Sequence, residues 1–181
     1  MTSMTGGSTD PELDFWSFVE VAVARAGAAG AAIDPEAMRL VIGLHRVSSM
    51  IVYDLESTVH RPSGWSWAGF RLLFVLWVTG RQDASTAAHL CGMSRPAVSA
   101  LVKTLARAGL LTRTTAEHDR RVALLELSPA GREDLTGAFH RHHERERLWA
   151  SSLEPAEQAE LSRLLAKLSA GAEARRIRRR L

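Results

Sequence analysis

Residues 86–131 decide the fold, and they read TAAHLCGMSRPAVSALVKTLARAGLLTRTTAEHDRRVALLELSPAG. This stretch predicts a short helix, a tight turn, a longer helix, and then two strands joined by a charged loop. Ser94 is suited to cap the longer helix, because its hydroxyl can accept from backbone N–H groups that the first turn leaves unpaired. Pro96 falls in that turn, where a missing N–H costs little. Gly109 suits a left-handed stop at the other end.

The longer helix is predicted to have two different faces. Its apolar positions recur with helical spacing and form one face: Val98, Leu101, Val102 and Leu105. Arg95, Ser99 and Lys103 fall on another face, one turn apart. Surface helices with a solvated charged side commonly show this pattern, so the helix alone does not establish contact with a nucleic acid.

The segments that follow supply the missing context. Residues 111–114 and 122–127 read as two strands of a hairpin, rich in branched and apolar side chains. The loop between them carries Arg120 and Arg121, two adjacent guanidinium groups that suit phosphates or a narrow minor groove. Ser128 then caps a further helix. Together these elements predict a helix-turn-helix with a wing, which would lay its second helix in a groove of DNA.

Three segments of this stretch carry a family resemblance: CGMSRPAVSALVKTLARAGLLTR, HDRR and LSPAGRE. They resemble the winged helix-turn-helix of the MarR family of transcriptional regulators, over roughly a quarter of the chain. The resemblance implies a homodimer in which helices from both termini pack together, with one wing and one recognition helix per subunit. We expect such a dimer to bind a pseudo-palindromic DNA duplex, and we expect no cofactor.

By position, the resemblance places DNA contacts on the second helix and on the wing. The residues concerned are Ser94, Arg95, Ala97, Val98, Ser99 and Lys103 on the helix, and Arg113, Arg120 and Arg121 on the wing. Asp119 is acidic, so we expect it to brace a neighbouring arginine rather than to contact DNA. Arg95 and Ser99 are placed to read base edges, whereas Lys103 and the wing arginines supply mostly phosphate affinity.

Charge is distributed unevenly along the 181 residues, although the formal net charge is only +3. Residues 1–80 carry five Lys or Arg and eight Asp or Glu, whereas residues 81–127 carry seven and four. Residues 128–181 carry eleven and eight. The basic excess therefore lies on the predicted DNA-binding stretch and beyond it, as expected for a nucleic-acid partner. The chain shows no Gly-rich phosphate loop, useful carboxylate pair or activated nucleophile, so we expect no enzyme.

The whole chain is expected to be mainly α with a small β-hairpin wing, an α+β fold with dimerisation helices at both termini. The expected divisions are a disordered N-terminus (1–9), N-terminal helices (10–62), a winged helix-turn-helix domain (63–131), and C-terminal helices with a basic tail (132–181). The apolar run LLFVLWV at 72–78 fits a buried strand or a helix. We favour the helix because of a cap before it and the MarR order of elements.

Aromatic residues recur at helical spacing from Trp67 to Trp77, either as ordinary core or as the lining of a cleft for a planar effector. Arg71 is a charge amid apolar neighbours, which suits an acidic partner or an anionic ligand. His45 is interpreted first as a core histidine and second as a ligand contact. The candidate pocket residues are His45, Tyr53, Trp67 and Arg71.

Cys91 is the only cysteine, which excludes an internal disulfide and fits a reducing cytosol. A buried thiol is expected there rather than a redox switch. His140, His142 and His143 do not place three ligands on one helix face, so a solvated polar face is expected instead of a metal site. No apolar run is long enough to span a membrane, and the first residues do not resemble a signal peptide. We therefore expect a cytoplasmic, nucleoid-associated protein.

These observations predict a dimeric, sequence-specific transcriptional regulator, a repressor that a small-molecule effector releases from DNA. Two alternatives stay open. One is a metal- or redox-responsive regulator of the same fold. The other is a winged-helix protein-interaction module that does not read DNA, against which the basic residues on both helix and wing argue.

Overall fold

The computed structural model describes residues 14–30, 32–115 and 123–178. Across these ranges the chain is mainly helical with one small antiparallel sheet, which confirms the predicted α+β class. The elements in chain order are α1 (Phe15–Ala28), α2 (Pro35–Leu55), a π-turn (Glu56–His60), α3 (Trp67–Thr79), β1 (Gln82–Asp83), α4 (Ala84–Cys91), α5 (Arg95–Arg107), β2 (Leu111–Thr115), β3 (Ala123–Leu127), α6 (Pro129–Ala150), α7 (Pro155–Ser169) and α8 (Ala172–Arg178).

The chain divides into two compact units, one ending at Ile51 and the other beginning at Val52. The first unit contains α1 and most of α2. Asp14 caps α1 by accepting a hydrogen bond from a backbone N–H at 2.7 Å, while the predicted helix start at Asp10 lies outside the described residues. Asp34 caps α2 by accepting hydrogen bonds from two backbone N–H groups. Arg39 of α2 then pairs with Glu20 of α1 at 2.8 Å.

The second unit is built around a core that α3, α4, α5 and the sheet share. The three strands lie in the order β1–β3–β2, and both pairings are antiparallel. Leu111 pairs with Leu127, so the hairpin starts from two buried leucines. The run at 72–78 is helical, as predicted, with Ser66 as its cap, and Gln82–Asp83 forms a short third strand. The largest fully buried apolar side chains of this unit are Leu72, Leu73, Leu76, Leu125, Leu135, Val59 and Val98.

The start of α6 is tied to the end of α5. The Ser128 hydroxyl caps α6 by accepting from the Gly131 N–H at 2.9 Å, and it donates to the Gly109 carbonyl at 2.6 Å. Gly109 has a φ of +75°, which is the left-handed stop that the sequence predicts. A Cβ on Gly131 would overlap the carbonyl group of Leu110. Only a glycine therefore lets α6 approach the helix-turn-helix this closely.

Further along, α6 is fastened to the end of α2. Asp54 accepts hydrogen bonds from the Arg145 guanidinium at 2.7 Å and from the Trp149 indole N–H at 2.8 Å. The hydrogen bonds from Arg145 lower the pKa of the Asp54 carboxyl below its usual value. Arg141 adds a hydrogen bond to the Ser63 hydroxyl at 3.1 Å. These contacts hold α6 in place over most of its length.

Two further helices follow α6 in the described residues. Glu154 and Glu157 form a capping box at the start of α7. None of the side chains of α7 is buried within the chain. Among the described residues, no helix combines the length and apolar character that crossing a membrane requires.

Candidate nucleic-acid interface

The two helices of the helix-turn-helix meet at a glycine turn. Asp83 caps α4, accepting from the backbone N–H groups of Ser85 at 2.8 Å and Thr86 at 3.0 Å. Hydrogen bonds from Thr86 lower the pKa of the Asp83 carboxyl. Gly92 ends α4 with a φ of +61°, a left-handed conformation in which a side chain would be strained. The chain then reverses into the cap of α5.

The second helix, α5, has one buried and one exposed face. Val98, Val102 and Leu105 pack into the core, with Val98 fully buried. Arg95 and Lys103 lie on the exposed side. Packing therefore fixes the orientation of α5, and its polar side chains face outward from a rigid support.

The cationic side chains on this surface have no carboxylate partner in the described parts of the chain. Arg95, Lys103 and Arg107 of α5 and Arg113 of β2 make no ion pair there. By contrast, Arg81 is neutralised by Glu126 at 2.8 Å. An unpaired exposed guanidinium or ammonium group can bind phosphate without first giving up an internal partner.

The structure allows a residue-by-residue check of the predicted DNA contacts. The exposed ones are Ser94, Arg95, Ala97, Ser99, Lys103 and Arg113. The Ser94 hydroxyl also caps α5, accepting a hydrogen bond at 3.4 Å. The assignment of Val98 to the DNA-contacting set is wrong, because its side chain is 0% exposed and belongs to the core. Asp119, Arg120 and Arg121 lie outside the described residues.

A polar groove that the sequence analysis missed opens between α4 and α5. It has a volume of about 340 Å³ and is lined by Ser85, Thr86, Ala88, His89 and Arg95. No local signal in the sequence marks it, because Arg95 lies on α5, whereas Ser85 and Thr86 lie on α4. Their distance from the predicted recognition helix along the chain concealed this proximity.

The residues predicted for an effector pocket have different surroundings. Trp67 stacks on Phe70, with ring centroids 5.9 Å apart. The Arg71 guanidinium instead lies beside Gly92 at the turn of the helix-turn-helix, and Tyr53 is 73% exposed. The three side chains have no neighbour in common among the described contacts. His45 is exposed on α2, so its interpretation as a core histidine is wrong.

Two histidines lie inside an aromatic cluster of α3, α6 and the π-turn. His60 is 0% exposed and stacks on Phe70 at 4.2 Å, and His142 is 4% exposed and stacks on the same ring at 4.5 Å. The expectation of a solvated face is therefore wrong for His142, although His140 and His143 are exposed. The sequence analysis missed His60, because a histidine just before a proline-containing break resembles a helix end.

Cys91 is buried at the end of α4, as predicted, and its thiol faces the carbonyl oxygen of Arg71 at 3.7 Å. Burial raises the pKa of the Cys91 thiol, which disfavours the reactive thiolate. Among the described residues, no three His, Cys, Asp or Glu side chains are grouped so that they could hold a metal ion.

Comparison with known proteins relates this geometry to a family. Residues 67–122, from α3 into the hairpin loop, match the model of the MarR family. YwaE of Bacillus subtilis (strain 168), an uncharacterized HTH-type transcriptional regulator, is 25% identical over 134 residues, which cover 74% of this chain and 78% of YwaE.

Two solved structures have the same fold. The transcriptional repressor CouR, bound to a 23-mer DNA duplex, has a TM-score of 0.68 and 27% identity, covering 72% of this chain and 92% of CouR. BpsR of Bordetella bronchiseptica, whose DNA binding is regulated by 6-hydroxynicotinic acid, has a TM-score of 0.67 and 22% identity, covering 72% and 98%.

Fold and site together define a winged-helix DNA-binding protein that acts in transcriptional regulation. The winged helix-turn-helix segment, residues 67–122, matches the MarR family of transcriptional regulators.

Proposed function

We propose that this protein is a cytoplasmic, homodimeric repressor that binds a pseudo-palindromic operator and acts by binding rather than by catalysis. The observation that carries the proposal is the exposed face of α5. There Arg95 and Lys103 have no carboxylate partner among the described residues, on a helix that Val98 anchors in the core. The DNA-bound state of CouR supports it, since CouR is 27% identical and has the same fold.

In this proposal α5 enters the major groove and the hairpin reaches the neighbouring minor groove. Arg95 and Ser99 lie near the N-terminus of α5, where recognition helices contact base edges. Lys103 and Arg113 bind phosphates, and Arg120 and Arg121 add contacts at the tip of the wing. In the same proposal, residues 63–131 form the DNA-binding winged helix-turn-helix domain and residues 132–181 supply dimerisation helices.

The exposed apolar side chains support the homodimer. On α7 four leucines are between 41% and 52% exposed: Leu161, Leu164, Leu165 and Leu168. They recur at helical spacing and form one stripe. On α2 a second set is exposed: Leu40, Val41, Leu44, Val47 and Met50. Contiguous apolar patches of this kind mark association surfaces, and a second copy of the chain would cover them with two-fold symmetry.

Release by a small-molecule effector is the third part of the proposal. An effector can release DNA only if it binds better to a state in which the two recognition helices are wrongly spaced. Trp67 offers a half-buried aromatic surface for a planar ligand. The regulation of BpsR by 6-hydroxynicotinic acid shows that a protein of this fold can respond to a small aromatic compound.

The experiment that tests the proposal is selection of DNA by the purified full-length protein. Fragmented genomic DNA from the source organism is incubated with the protein at moderate salt, and the bound fraction is sequenced. We expect enrichment of a few fragments that share an inverted repeat with half-sites about one helical turn apart. Equal recovery of all fragments would contradict sequence-specific binding and favour an interaction module.

The wing is tested on the fragment so selected. Replacing Arg120 and Arg121 by alanine is expected to weaken binding at least tenfold, because two phosphate or minor-groove contacts are lost. Gel-shift titration measures the change. The matched control is Arg81→Ala, which removes a guanidinium that Glu126 already neutralises. Equal affinities of the wing variant and the control would remove the wing from the proposed interface.

A further inference from the structure

The starting observation is a direct contact between two buried imidazole rings. The Nε2 atom of His60 and the Nδ1 atom of His142 are 3.1 Å apart, although the residues are 82 positions apart in the chain. On its other side, His142 places Nε2 at 3.0 Å from a carboxylate oxygen of Glu146. His60 is different, because its buried Nδ1 atom has no hydrogen-bond partner among the residues that the structure describes.

The hydrogen bonds determine where the protons lie in the neutral pair. The Glu146 carboxylate accepts, so His142 carries its proton on Nε2 and leaves Nδ1 as an acceptor. His60 must therefore donate from Nε2, and its own Nδ1 is a lone pair with no donor. A buried polar atom without a partner costs stability, so its retention calls for an explanation.

The pair, which we call the histidine pair (His60 and His142), lies where three elements meet. His60 is the last residue of the π-turn. Such π-helical turns are rare in proteins, and those that occur are often found at functional sites. His142 belongs to α6, about 14 residues or roughly 20 Å along the helix from Ser128, which caps α6 and holds the end of α5. A shift of α6 at the histidine pair would therefore reach the support of the recognition helix.

We infer that the histidine pair is an acid-sensitive contact that holds α6 on the π-turn and α3, and that protonation opens it and weakens DNA binding. The first part rests on the geometry above. The effect on DNA rests in addition on the proposed function.

Protonation disrupts the pair because each added proton creates an N–H donor for which the closed arrangement offers no acceptor. One added proton on Nδ1 of His60 creates a buried N–H that has no acceptor among the described residues. A second proton places two imidazolium ions 3.1 Å apart. Burial, with repulsion from His142, lowers the pKa of His60 to about 4. In the open state the imidazole is hydrated and regains an ordinary affinity for protons.

The charged groups around the pair do not compensate for a second proton. The π-turn contributes Glu56, which favours a charged His60 but is also 3.8 Å from Arg61. From α6 come Glu146, which both His142 and His143 contact, and Arg145, which Asp54 neutralises. The part of α3 that touches His60 consists of the rings of Trp67 and Phe70.

The size of the effect follows from the two protonation equilibria. With an ordinary pKa of 6.5 in the open state and about 4 in the closed state, the opening equilibrium rises about tenfold between pH 7.5 and pH 5.5. Hydrogen exchange of the full-length protein without DNA, expressed as protection factors, measures opening directly. We expect protection of residues 56–65 to fall about tenfold over this range, beyond the change of exposed loops.

Two variants separate the histidine pair from general acid effects. The double variant His60→Phe with His142→Phe keeps stacked rings but has nothing to protonate, so its protection factors should hardly change. If its circular dichroism shows misfolding at pH 7.5, His60→Phe alone is used, since His142 keeps its bond to Glu146. The control His140→Gln, at an exposed position of the same helix, should keep the wild-type response. A wild-type response in the His60→Phe variants would overturn the inference.

A second arm measures affinity for the selected DNA fragment at both pH values. The wild type should lose affinity relative to the His60→Phe variant at pH 5.5. Equal affinities in the two proteins would overturn the regulatory part. Absence of any DNA binding at pH 7.5 would refute the proposed function instead, while hydrogen exchange would still decide whether protons open the contact.

Discussion

At the residue scale, neighbouring positions of one helix have opposite roles. Val98 and Arg95 are less than a turn apart on α5, yet one side chain is fully buried and the other exposed. The periodicity of the sequence separates these faces correctly. The family resemblance, applied position by position, does not, since it assigned Val98 to the DNA. Burial within this chain is the more direct evidence for the role of a residue.

Arg95→Ala is predicted to reduce discrimination between operator and random duplex. The loss of a base-edge contact costs about 1–3 kcal/mol for the operator and much less for random DNA. Competition titrations with both duplexes measure the ratio. Lys103→Ala is the comparison, because loss of a phosphate contact should weaken both complexes alike. An unchanged ratio in Arg95→Ala would mean that another residue reads the bases.

At the element scale, α6 connects features that are far apart in the sequence. Its first turn contacts the end of α5 through Ser128 and Gly131, and its middle carries His142. Its last turns are held by Asp54. The position of α5 therefore depends on how α6 packs. For this reason a change at the histidine pair can alter the position of α5.

Two glycines of α6 provide a matched test of this seating. Gly131→Ala should destabilise the protein by about 1–3 kcal/mol or more, because the new Cβ overlaps the backbone of Leu110. Gly137→Ala on the same helix meets nothing within 4 Å and should stabilise it by about 0.5–1 kcal/mol. Urea denaturation measures both. The same sign for the two variants would show that α6 is not held as closely as described.

At the scale of the whole molecule, the exposed leucine stripe on α7 is an apolar surface that the described parts of a single chain leave uncovered. Leu164→Glu is predicted to convert the proposed dimer to a monomer, because a charge buried in the proposed interface would lack a partner. Light scattering after size-exclusion chromatography measures the mass. The control Ala166→Glu adds the same charge on a different face of α7 and should leave the dimer intact. A dimeric Leu164→Glu would place the interface elsewhere.

The stability of the whole protein should depend on pH through His60. The folded state lowers the pKa of His60 from 6.5 to about 4, so the unfolded chain binds more protons. This stability is fully present above pH 6.5 and is lost as the pH falls toward 4. Urea denaturation should show a loss of about 2 kcal/mol between pH 7.5 and 5. Asp54 and Asp83 also have lowered pKa values, but their contribution to stability is lost at lower pH, because the ordinary pKa of an Asp carboxyl is 3.8.

The reference for this measurement is His60→Phe, which should lose little stability over the same range. Parallel pH profiles of the two proteins would mean that His60 binds protons in the folded state as readily as in the unfolded chain.

The sequence by itself determined the helix-turn-helix, its caps and its hairpin. These features depend on neighbours within about one or two turns, as in the caps at Ser94 and Ser128, so local spacing specifies them. Only the tertiary structure decided which histidines are buried. His60 and His142 meet across 82 residues, and a contact between rings from the π-turn and α6 leaves no periodic trace in either segment. The groove between α4 and α5 was likewise decided by the tertiary structure, because it forms only when the two helices pack together.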